Sequence, residues 1–565
     1  MDPKSLQIDT RSGFNSITKT FHSLRPPIDL PLEDTPLSAA EYAFSLLATS
    51  PWPHDSVALI NSVTAQRISY SEFTRRTNCL AAYLQKVTQL SINDTAFILS
   101  PNSIQLPILY FSLLSLGVVI SPANPLSTQS EISRQVQLSK PVIAFATAST
   151  FHKLPKLKHQ TILIDSSEFE SIMMSSKHEF DHVKVKQSDL AAIMYSSGTT
   201  GNVKGVMLTQ RNLMAQIANS YASRQERESP TVTLYTMPYF HMVGFIFSLR
   251  SVALSETVVV MERFDLKKML KAVEEFRVTR LVFPPPVIVA LSKGGLTDSY
   301  DLSSVEIVVS GAAPLGKDII AAFTARFPKI VLGQGYGLTE TAGAIFLTKG
   351  PEEAKLWGST GRLSGSFEGK IVDPETGEAL PPCKEGELWV KGPSVMKGYV
   401  GEEESTSATL LSDGWLRTGD ICYINEDGFL FVVDRLKELI KYRGYQVAPA
   451  ELEQLLISHP QIVDAAVIGY PDKEAGQVPM AFVVRQPQST LNEAEIMDFV
   501  AKQENKACSV YQFHTQECSW QNIEKRAEKS CCSTRDFIKA VMTDIPTKKL
   551  VKYLMTIIST LNIQN

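Results

Sequence analysis

Residues 195–205, YSSGTTGNVKG, combine glycines, small hydroxyl side chains and a closing lysine, a composition that suits a phosphate group. The glycines allow tight turns, so that amide N–H groups and hydroxyls can converge on an anion, and Lys204 adds a mobile positive charge. The spacing matches neither a Walker loop nor GxGxxG. A flexible linker is the alternative, but the run lies between an apolar, strand-like segment, residues 190–195, and a helical pattern that opens at Arg211. The stretch therefore predicts a site for nucleotide phosphate, without specifying a reaction.

Five other residues carry side chains suited to nucleotide chemistry. Thr339 can donate a hydrogen bond to a phosphate, and Glu340 is a hard oxygen ligand of the kind that binds Mg²⁺. The carboxylate of Asp420 can accept hydrogen bonds from both hydroxyls of a ribose. The guanidinium of Arg263 would suit a further phosphate, although a solvated surface charge is the alternative. His241 stands among aromatic residues, where a lone histidine is more often a satisfied core residue than a catalyst.

Three further blocks follow the phosphate loop in order: GQGYGLTE at residues 333–340, GWLRTGD at 414–420 and DRLKELIKYRG at 434–444. Together the four blocks resemble those of adenylate-forming enzymes, the superfamily of acyl-CoA synthetases, peptide-synthetase adenylation domains and beetle luciferases. From about residue 6 to residue 503 the chain is similar to plant 4-coumarate:CoA ligase-like proteins, including relatives that act on fatty or jasmonate-precursor acids.

The resemblance implies a role for individual residues. Those implied to bind ATP or AMP are Ser196, Ser197, Gly198, Thr199, Thr200, Lys204, Gln334, Gly335, Thr339, Asp420 and Arg435. Those implied to serve CoA are Arg263, Arg443 and Gly444, and those implied to line the site of the acid are His241, Val243, Ala312, Gly335, Lys437 and Lys441. The implied catalytic residues are His241, Thr339 and Lys437, and the implied metal ligand is Glu340.

Three positions deserve separate comment because alternatives or departures exist. Tyr336 is expected to stack on adenine. The alternative is that Gly-Tyr-Gly is only a hairpin turn, which the helical pattern after Thr339-Glu340 disfavours. Val243 replaces the tyrosine usual in relatives that accept coumarate, which predicts a more open, apolar wall. Arg443 stands where lysine is usual, which keeps the charge but changes its geometry. A basic run such as residues 435–443 is otherwise usually a solvated face.

Alternating patterns from residue 38 onward, among them a helical pattern at residues 39–47 and a strand-like one at 95–99, predict an α/β fold with parallel sheets. The resemblance implies the adenylate-forming fold: a large N-terminal domain of two α/β subdomains plus a small β-barrel, and a smaller, mobile α+β C-terminal domain. We expect the N-terminal domain at residues 1–434, the C-terminal swinging domain at 435–503 and a tail unlike the family at 504–565.

Composition excludes several classes of protein. A chain of 565 residues predicts at least two domains, and the formal charge of −4 argues against nucleic acid as a partner. The N-terminus lacks an apolar signal core. The most apolar run, residues 106–120, is too short for a membrane span and is interpreted as a buried helix. The seven cysteines show no paired framework, which is typical of a reducing compartment.

The C-terminal tail departs from the family. The resemblance requires a lysine in a segment like SIPKSPSGKILRREL, and this segment is absent. Back-translation of residues 520–528, read one nucleotide later, permits G-K-I-L-R-R-E-L, and the same shift over residues 510–518 permits F-I-N-S-I-P-K-N-A. We therefore hypothesise that residues from about Glu504 onward are translated in the wrong frame, chance degeneracy being the alternative.

The predicted function is ATP-dependent ligation of a carboxylic acid to CoA, with ATP, CoA and Mg²⁺ required and a phenylpropanoid such as 4-coumarate, or a fatty or jasmonate-precursor acid, as substrate. Alternatives are another kind of adenylating enzyme, a pseudoenzyme that binds ATP or acyl-AMP without turnover, and an unstable product of a faulty transcript. We expect a monomer without a membrane span. Intact relatives are expected in the peroxisome, whereas the ending Asn562-Ile563-Gln564-Asn565 lacks a peroxisomal address and predicts the cytoplasm.

Overall fold

The computed structural model describes residues 8–196, 203–293, 295–313, 315–442, 445–472, 476–486 and 489–507. Two compact units make up the chain: the larger takes nearly all residues up to Val432, and the second takes the chain from Val433 onward together with Leu315–Ala322. Part of the predicted site lies outside the described residues, namely Ser197, Gly198, Thr199, Thr200, Arg443, Gly444 and the segment 508–565.

The elements follow in chain order. They are β1 (Phe14–Asn15), β2 (Thr20–His22), α1 (Ala39–Leu47), β3 (Val57–Asn61), β4 (Arg67–Ser69), α2 (Tyr70–Lys86), β5 (Thr95–Leu99), α3 (Gln105–Ser115), β6 (Val119–Pro122), α4 (Gln129–Ser139), β7 (Ile143–Ala146), β8 (Ile162–Leu163), α5 (Ser167–Met174), β9 (Leu190–Ser196), β10 (Lys204–Thr209), α6 (Gln210–Ala222), β11 (Val232–Tyr235), α7 (Met242–Ala253), β12 (Thr257–Val260), α8 (Leu266–Glu275), β13 (Arg280–Phe283), α9 (Pro285–Lys293) and β14 (Ile307–Ser310). They continue with α10 (Lys317–Arg326), β15 (Val331–Leu338), β16 (Gly343–Leu347), α11 (Gly350–Ala354), β17 (Arg362–Leu363), β18 (Glu368–Val372), β19 (Gly386–Lys391), β20 (Gly398–Tyr399), α12 (Glu403–Thr409), β21 (Leu416–Ile424), β22 (Leu430–Arg435), β23 (Ile440–Tyr442), β24 (Tyr445–Val447), α13 (Pro449–Ser458), β25 (Ile462–Asp472), β26 (Gly476–Arg485) and α14 (Glu493–Ala507).

Two mixed sheets form the α/β part of the larger unit. A seven-stranded sheet has the order β20-β10-β9-β6-β5-β7-β8, and a nine-stranded sheet has the order β17-β16-β15-β14-β13-β11-β12-β3-β4. The central strands of each sheet pair in parallel, as in β5–β6 and β13–β14, while antiparallel pairs lie at both ends of the nine-stranded sheet and at the β20 end of the seven-stranded sheet. Helices cover these sheets because parallel strands are apolar on both faces. The predicted pair of α/β subdomains is confirmed.

A third, antiparallel sheet of six strands, β1-β2-β18-β19-β21-β22, corresponds to the predicted small β subdomain. Its two edges approach each other: Arg11, next to β1, donates to Asp427 in the loop that joins β21 and β22, with 2.7 Å between Nη2 and Oδ1. The backbone of Ser12 packs so closely on Gly428 that a Cβ there would lie 2.8 Å from the Ser12 carbonyl oxygen. The sheet therefore curls towards a barrel.

The predicted buried helix is confirmed over the first part of the apolar run at residues 106–120, but not over its last residues. The helix α3 ends at Ser115, and Gly117 adopts φ +68°, a left-handed conformation that glycine tolerates and that ends the helix. The β-branched residues that follow form β6, a strand buried along its whole length. Among the described residues, no helix is long and apolar enough to cross a bilayer.

The second unit contains a four-stranded antiparallel sheet, β24-β23-β26-β25, and the helices α13 and α14. Ile440, Leu452, Leu456 and Ile462 are among the residues of its separate hydrophobic core. This arrangement confirms the predicted α+β C-terminal domain.

Candidate active site

The phosphate loop joins two antiparallel strands. β9 pairs with β10 so that Ser196 lies opposite Lys204, and the pairing continues, with one shift of register, as far as Thr209 opposite Leu190. The hydroxyl of Tyr195 contacts Ser121 Oγ at 2.7 Å and donates to the carbonyl of Gln135 at 3.0 Å, which anchors the end of β9. The ends of the loop, Ser196 and Lys204, are therefore held at a fixed separation by sheet hydrogen bonds.

The helix predicted to open at Arg211 is confirmed, and a strand that the sequence did not predict precedes it. The apolar residues Val206 and Leu208 continue the sheet as β10, and α6 begins only at Gln210. Thr209 is the N-cap of α6: its side chain accepts from Asn212 N, and the Asn212 side chain accepts from Thr209 N. This capping box defines the start of the helix, and the intervening strand leaves Lys204 at the mouth of a hairpin.

Lys204 and Glu340 meet at a tyrosine. The Lys204 ammonium lies 4.5 Å from the centre of the Tyr399 ring, and the Tyr399 hydroxyl donates to Glu340 Oε1 at 2.9 Å. Burial and the nearby Glu340 carboxylate raise the pKa of Tyr399 far above 10.0, so its hydroxyl remains a donor at any physiological pH. The predicted phosphate-binding cation and the predicted metal ligand thus belong to one cluster.

Glu340 and Thr339 lie on a short turn between β15 and β16. These strands pair antiparallel from Gly335 to Leu338, and the backbone of residues 339–341 forms a 3₁₀ turn. The helical pattern expected from Thr339 is therefore limited to this one turn, and the chain reverses there and not at Gly-Tyr-Gly, which lies within β15. Gly337 is required because a Cβ there would overlap the carbonyl oxygen of Gly343 on the facing strand.

Gln334 and Gly335 lie on β15 before this turn. The side chain of Gln334 is 7% exposed and donates to the carbonyl of Ser359 at 3.0 Å, so its amide is used to connect segments of the unit. A Cβ on Gly335 would come within 3.1 Å of Leu347 Cδ1. The role predicted for these two residues towards nucleotide and acid remains a prediction.

Asp420 accepts a short hydrogen bond from Tyr336. The distance from Tyr336 Oη to Asp420 Oδ2 is 2.6 Å, and the two side chains are 8% and 5% exposed. Burial, followed by the charge of Asp420, raises the pKa of Tyr336 well above 10.0. Asp420 lies in the middle of β21 and does not end a strand as the sequence suggested, since Ile421, Cys422 and Ile424 continue the strand into the core. Stacking of Tyr336 on adenine remains a prediction, and its established contact is to the carboxylate.

His241, the predicted catalytic histidine, is the N-cap of α7. The Nδ1 atom of its ring accepts a hydrogen bond from the Val243 backbone N–H at 3.4 Å. The backbone N–H of His241 donates to the carbonyl of Pro238 at 3.0 Å. The residue reaches solvent, yet the protein atoms that surround the imidazole exclude enough water to lower its pKa below 6.5. The ring is therefore neutral near pH 7, and Nδ1 is the acceptor. A Cβ on Gly244 would overlap the Pro238 carbonyl oxygen, so this glycine permits the tight approach that holds His241.

Two other predicted residues of the larger unit are accessible. Ala312 is exposed and adopts φ +71°, an unusual conformation for a residue with a Cβ, in the segment after β14. Arg263 is exposed between β12 and α8. No contact of the described residues connects either of them to the Lys204 cluster, and their predicted roles remain predictions.

Arg435, Lys437 and Lys441 belong to the second unit, and each is exposed. Arg435 Nη1 lies 3.8 Å from Glu438 Oε1, and the Lys441 N–H donates to Gln477 Oε1 at 2.8 Å. The preceding Asp434 is buried and accepts from the Ala450 N–H at 2.9 Å, at the start of α13. The carboxylate of the predicted hinge block therefore holds the first turn of a helix, a role that the sequence did not reveal.

The residues around Glu340 fit a magnesium ion that is shared with substrate. Across the described ranges, no group of three or more His, Cys, Asp or Glu side chains could hold a metal ion. Mg²⁺ usually keeps several waters and binds through one or two carboxylates plus substrate phosphates. A single carboxylate beside a phosphate-binding lysine suits that mode.

Sequence analysis missed Tyr399. Its signal is faint, a Gly-Tyr pair in the segment GPSVMKGYV at residues 392–400, and its partners lie far away in the chain. Tyr336 was identified, but as a base-stacking residue and not as the donor to Asp420.

The larger unit contains two α/β sheets, a curled antiparallel sheet and the β9–β10 hairpin that carries the predicted phosphate loop, and a separate α+β unit follows it. Together these features define an adenylate-forming enzyme. The family model described as AMP-binding enzyme matches residues 48–400, and that described as AMP-binding enzyme C-terminal domain matches residues 451–515, which extends past the predicted end of the family-like sequence at 503. The chain belongs to this family of AMP-binding enzymes.

Its relatives include several CoA ligases. The chain is 51% identical over 514 residues to "4-coumarate--CoA ligase-like 9" of Arabidopsis thaliana, which covers 88% of this chain and 91% of that protein. It is 43% identical over 511 residues to "Peroxisomal OPC-8:0-CoA ligase 1" of the same plant, covering 88% and 92%. Among solved structures, ATP-bound MatB from Rhodopseudomonas palustris has a TM-score of 0.73 at 26% identity, covering 83% of this chain and 92% of that one. The o-succinylbenzoate CoA synthetase MenE from Bacillus subtilis, in complex with its acyl-adenylate OSB-AMP, has a TM-score of 0.71 at 26% identity, covering 85% and 93%.

Proposed function

We propose that this chain is built as an ATP-dependent carboxylate–CoA ligase. In the first half-reaction the carboxylate of the acid attacks the α-phosphate of ATP, which gives acyl-AMP and pyrophosphate. In the second, the thiolate of CoA attacks the acyl carbonyl and displaces AMP. The observation that carries the proposal is the cluster in which Lys204 and Glu340 both contact Tyr399, next to the phosphate hairpin.

Each residue of the cluster has a defined task in this proposal. Lys204 and the hydroxyl of Ser196 bind the phosphates, and Thr339 donates to the α-phosphate. Asp420 accepts the ribose hydroxyls and is held in place by Tyr336. Glu340 would hold Mg²⁺, which when bound neutralises phosphate charge. The neutral His241 lies beside the acid, where a protonated ring would instead pair with the carboxylate and weaken its attack. The chemistry then depends on positioning and electrostatics.

The second half-reaction is assigned to the C-terminal domain. We propose the limits 1–434 for the N-terminal domain and 435–503 for the domain that rotates about Lys437. Lys441, Arg443 and Gly444 from that domain, and Arg263 from the larger unit, would serve CoA. Rotation of a lid or domain between two steps is a common way to complete a site in sequence.

The acid is proposed to be apolar. Val243 offers no hydroxyl to a phenolic group, and it is only half-buried, next to His241. One relative is named for 4-coumarate and another for OPC-8:0, so both a phenylpropanoid and a fatty or jasmonate-precursor acid are candidate substrates. The order of turnover among these acids would identify the substrate.

The tail from about residue 504 makes a second function credible, that of a pseudoenzyme. Because the adenylation lysine of the family is missing, the charge stabilisation that it supplies at the α-phosphate is lost, and losing one such preorganised donor costs about a hundredfold or more. A chain in this form would still bind ATP or acyl-AMP. Coding DNA that does not encode the missing motif one base later would refute the frame-shift hypothesis.

Acid-dependent exchange of pyrophosphate into ATP tests the proposal. The purified 565-residue chain is compared with a version whose tail is restored to the shifted frame, across phenylpropanoid and medium-chain fatty acids. We expect exchange only with the restored tail, and its abolition by Lys204→Met. Exchange by the unaltered chain would show that the lysine is replaceable, whereas no exchange and no binding of ATP by either version would refute the ligase assignment.

Two further observations separate the remaining alternatives. Release of product that depends on CoA distinguishes a ligase from a luciferase-like oxygenase or a transferase to a carrier protein. Low abundance of the protein beside a normal level of its transcript would indicate an unstable product. Location in the peroxisome or the cytoplasm, and the monomeric state, remain predictions that imaging of a tagged chain and light scattering would test.

A further inference from the structure

Tyr399 lies at the edge of the seven-stranded sheet, beside the phosphate hairpin. It forms β20 with Gly398 and pairs with Val206 of β10. The side chain is 7% exposed, so its ring and hydroxyl are directed at other protein groups and not at solvent. The question is what those groups gain from it.

Each part of the side chain contacts a different charge. The face of the ring lies under the Lys204 ammonium, 4.5 Å from the ring centre, which is the geometry of a cation–π contact. The hydroxyl donates to Glu340 Oε1 at 2.9 Å, and a hydrogen bond to a charged acceptor is among the stronger ones. Among the described residues, no ion pair joins Lys204 directly to Glu340, and Tyr399 contacts both of them.

The backbone around Tyr399 is bonded to both partners. The Met396 N–H donates to the Glu340 carbonyl at 2.8 Å, and the Val400 N–H donates to the Gly205 carbonyl at 2.8 Å. The segment that carries the tyrosine is thus tied to the turn of Glu340 on one side and to the strand of Lys204 on the other. These two backbone hydrogen bonds keep the Tyr399 ring from moving with Glu340 away from Lys204, or with Lys204 away from Glu340.

We propose that Tyr399 is a positioning residue that keeps Lys204 and Glu340 apart and aligned, so that the cation remains available to phosphate and the carboxylate to the metal. Without it, the two opposite charges would be drawn together and would neutralise each other in the free protein. This inference rests on the proposed function, since it assumes that Lys204 and Glu340 serve ATP and Mg²⁺.

The test is equilibrium binding of ATP to the full chain by calorimetry, once with EDTA and once with Mg²⁺. The variant Tyr399→Phe keeps the ring under Lys204 and removes only the hydroxyl that holds Glu340. We expect its affinity for ATP in EDTA to stay within about twofold of the unaltered chain, and the gain in affinity that Mg²⁺ provides to fall about tenfold, the usual value of a hydrogen bond to a charged group. A purely structural role would weaken both measurements alike.

Two comparisons isolate the effect. The matched control is Tyr42→Phe, because Tyr42 is also 7% exposed and its hydroxyl donates to a backbone carbonyl, that of Asp29 at 3.2 Å; it should leave the gain from Mg²⁺ unchanged. In a Glu340→Gln background, Tyr399→Phe should have no further effect on that gain, since the hydroxyl acts through the carboxylate.

The outcomes are separable. If neither the unaltered chain nor the tail-restored version binds ATP, or if neither gains affinity from Mg²⁺, the proposed function fails and this inference with it. If one of them gains affinity from Mg²⁺ and Tyr399→Phe retains that gain in the same version, the inference alone is overturned. Should Tyr399→Phe fail to fold, Tyr399→4-aminophenylalanine returns an N–H donor on the same ring. Retention of most of the gain by that variant supports the inference, and loss of the gain in a folded protein overturns it.

Discussion

Replacement of Tyr336 by phenylalanine should weaken recognition of the ribose without unfolding the protein. The hydroxyl donates to Asp420 at 2.6 Å, and both side chains are more than nine-tenths buried. The change removes one oxygen atom and leaves a buried carboxylate with one donor fewer. A hydrogen bond to a charged group is worth about 1.5–3 kcal/mol, so we take the loss as about 2 kcal/mol.

The effect on melting will be small because the unit is large. Each residue contributes about 2 cal/mol/K to the entropy of unfolding, so a unit of about four hundred residues would melt only about 2 °C lower. Nucleotide binding is the more sensitive measurement of the Tyr336→Phe change.

In the unaltered chain, 2′-deoxy-ATP should bind about tenfold more weakly than ATP, since Asp420 then loses one hydroxyl partner. In Tyr336→Phe the Asp420 carboxylate loses the hydrogen bond to its Oδ2, and the ratio of the affinities for ATP and 2′-deoxy-ATP should fall to about threefold, because a less firmly oriented acceptor gains less from either hydroxyl. Tyr42→Phe, which removes a hydroxyl bonded to a neutral carbonyl, should leave the ratio unchanged. A Tyr336→Phe chain that discriminates between the two nucleotides as strongly as the unaltered one would refute the reasoning.

Three other changes test separate parts of the molecule. Gly244→Ala places a Cβ against the carbonyl oxygen of Pro238 and should lower the free energy of unfolding by about 1–3 kcal/mol. Because the same carbonyl accepts from the His241 backbone N–H, acid-dependent pyrophosphate exchange by the tail-restored chain should fall as well. Normal exchange at normal stability would contradict this expectation. Burial raises the pKa of Glu453 from 4.5 to about 7, so the contribution of this carboxyl to the free energy of unfolding is fully present below pH 4.5 and is lost as the pH rises through 7. Unfolding of the C-terminal unit, measured across that pH interval, should show this loss of stability, and Glu453→Gln should abolish the pH dependence. Arg263→Ala in the tail-restored chain should raise the KM for CoA about tenfold and leave pyrophosphate exchange intact, whereas an equal loss in both half-reactions would place this residue at the nucleotide instead.

Local patterns predicted the elements of this fold well. The helix α1 and the strand β5 begin and end where the apolar spacing placed them, at Ala39–Leu47 and Thr95–Leu99. The alternation of elements predicted an α/β fold with parallel sheets, and the resemblance carried by the four sequence blocks implied the family, the two α/β subdomains and the small α+β domain. These features depend on neighbours a few residues apart, so one stretch of sequence contains the whole signal.

The errors arose where a distant segment decided the structure. The sequence did not reveal the strand β10 before the predicted helix, which forms because β9 and β20 offer strand partners on both sides. The run at residues 106–120 divides because the positive φ of Gly117 ends the helix and the β5 edge accepts the following residues as a strand. Apolar residues satisfy either structure locally, and only the available sheet edges select one of them.

The sequence by itself determined which residues are predicted to carry the chemistry: a lysine after the glycine loop, an acidic residue after Gly-Leu-Thr, and an aspartate in the third block. Only the tertiary structure decided how they are held. Tyr399 reaches Glu340 across 59 residues and Tyr336 reaches Asp420 across 84, and neither pairing has a periodicity that could reveal it. Such contacts follow from the order of strands in the sheets, and that order is set by the burial of the whole core and not by any one segment.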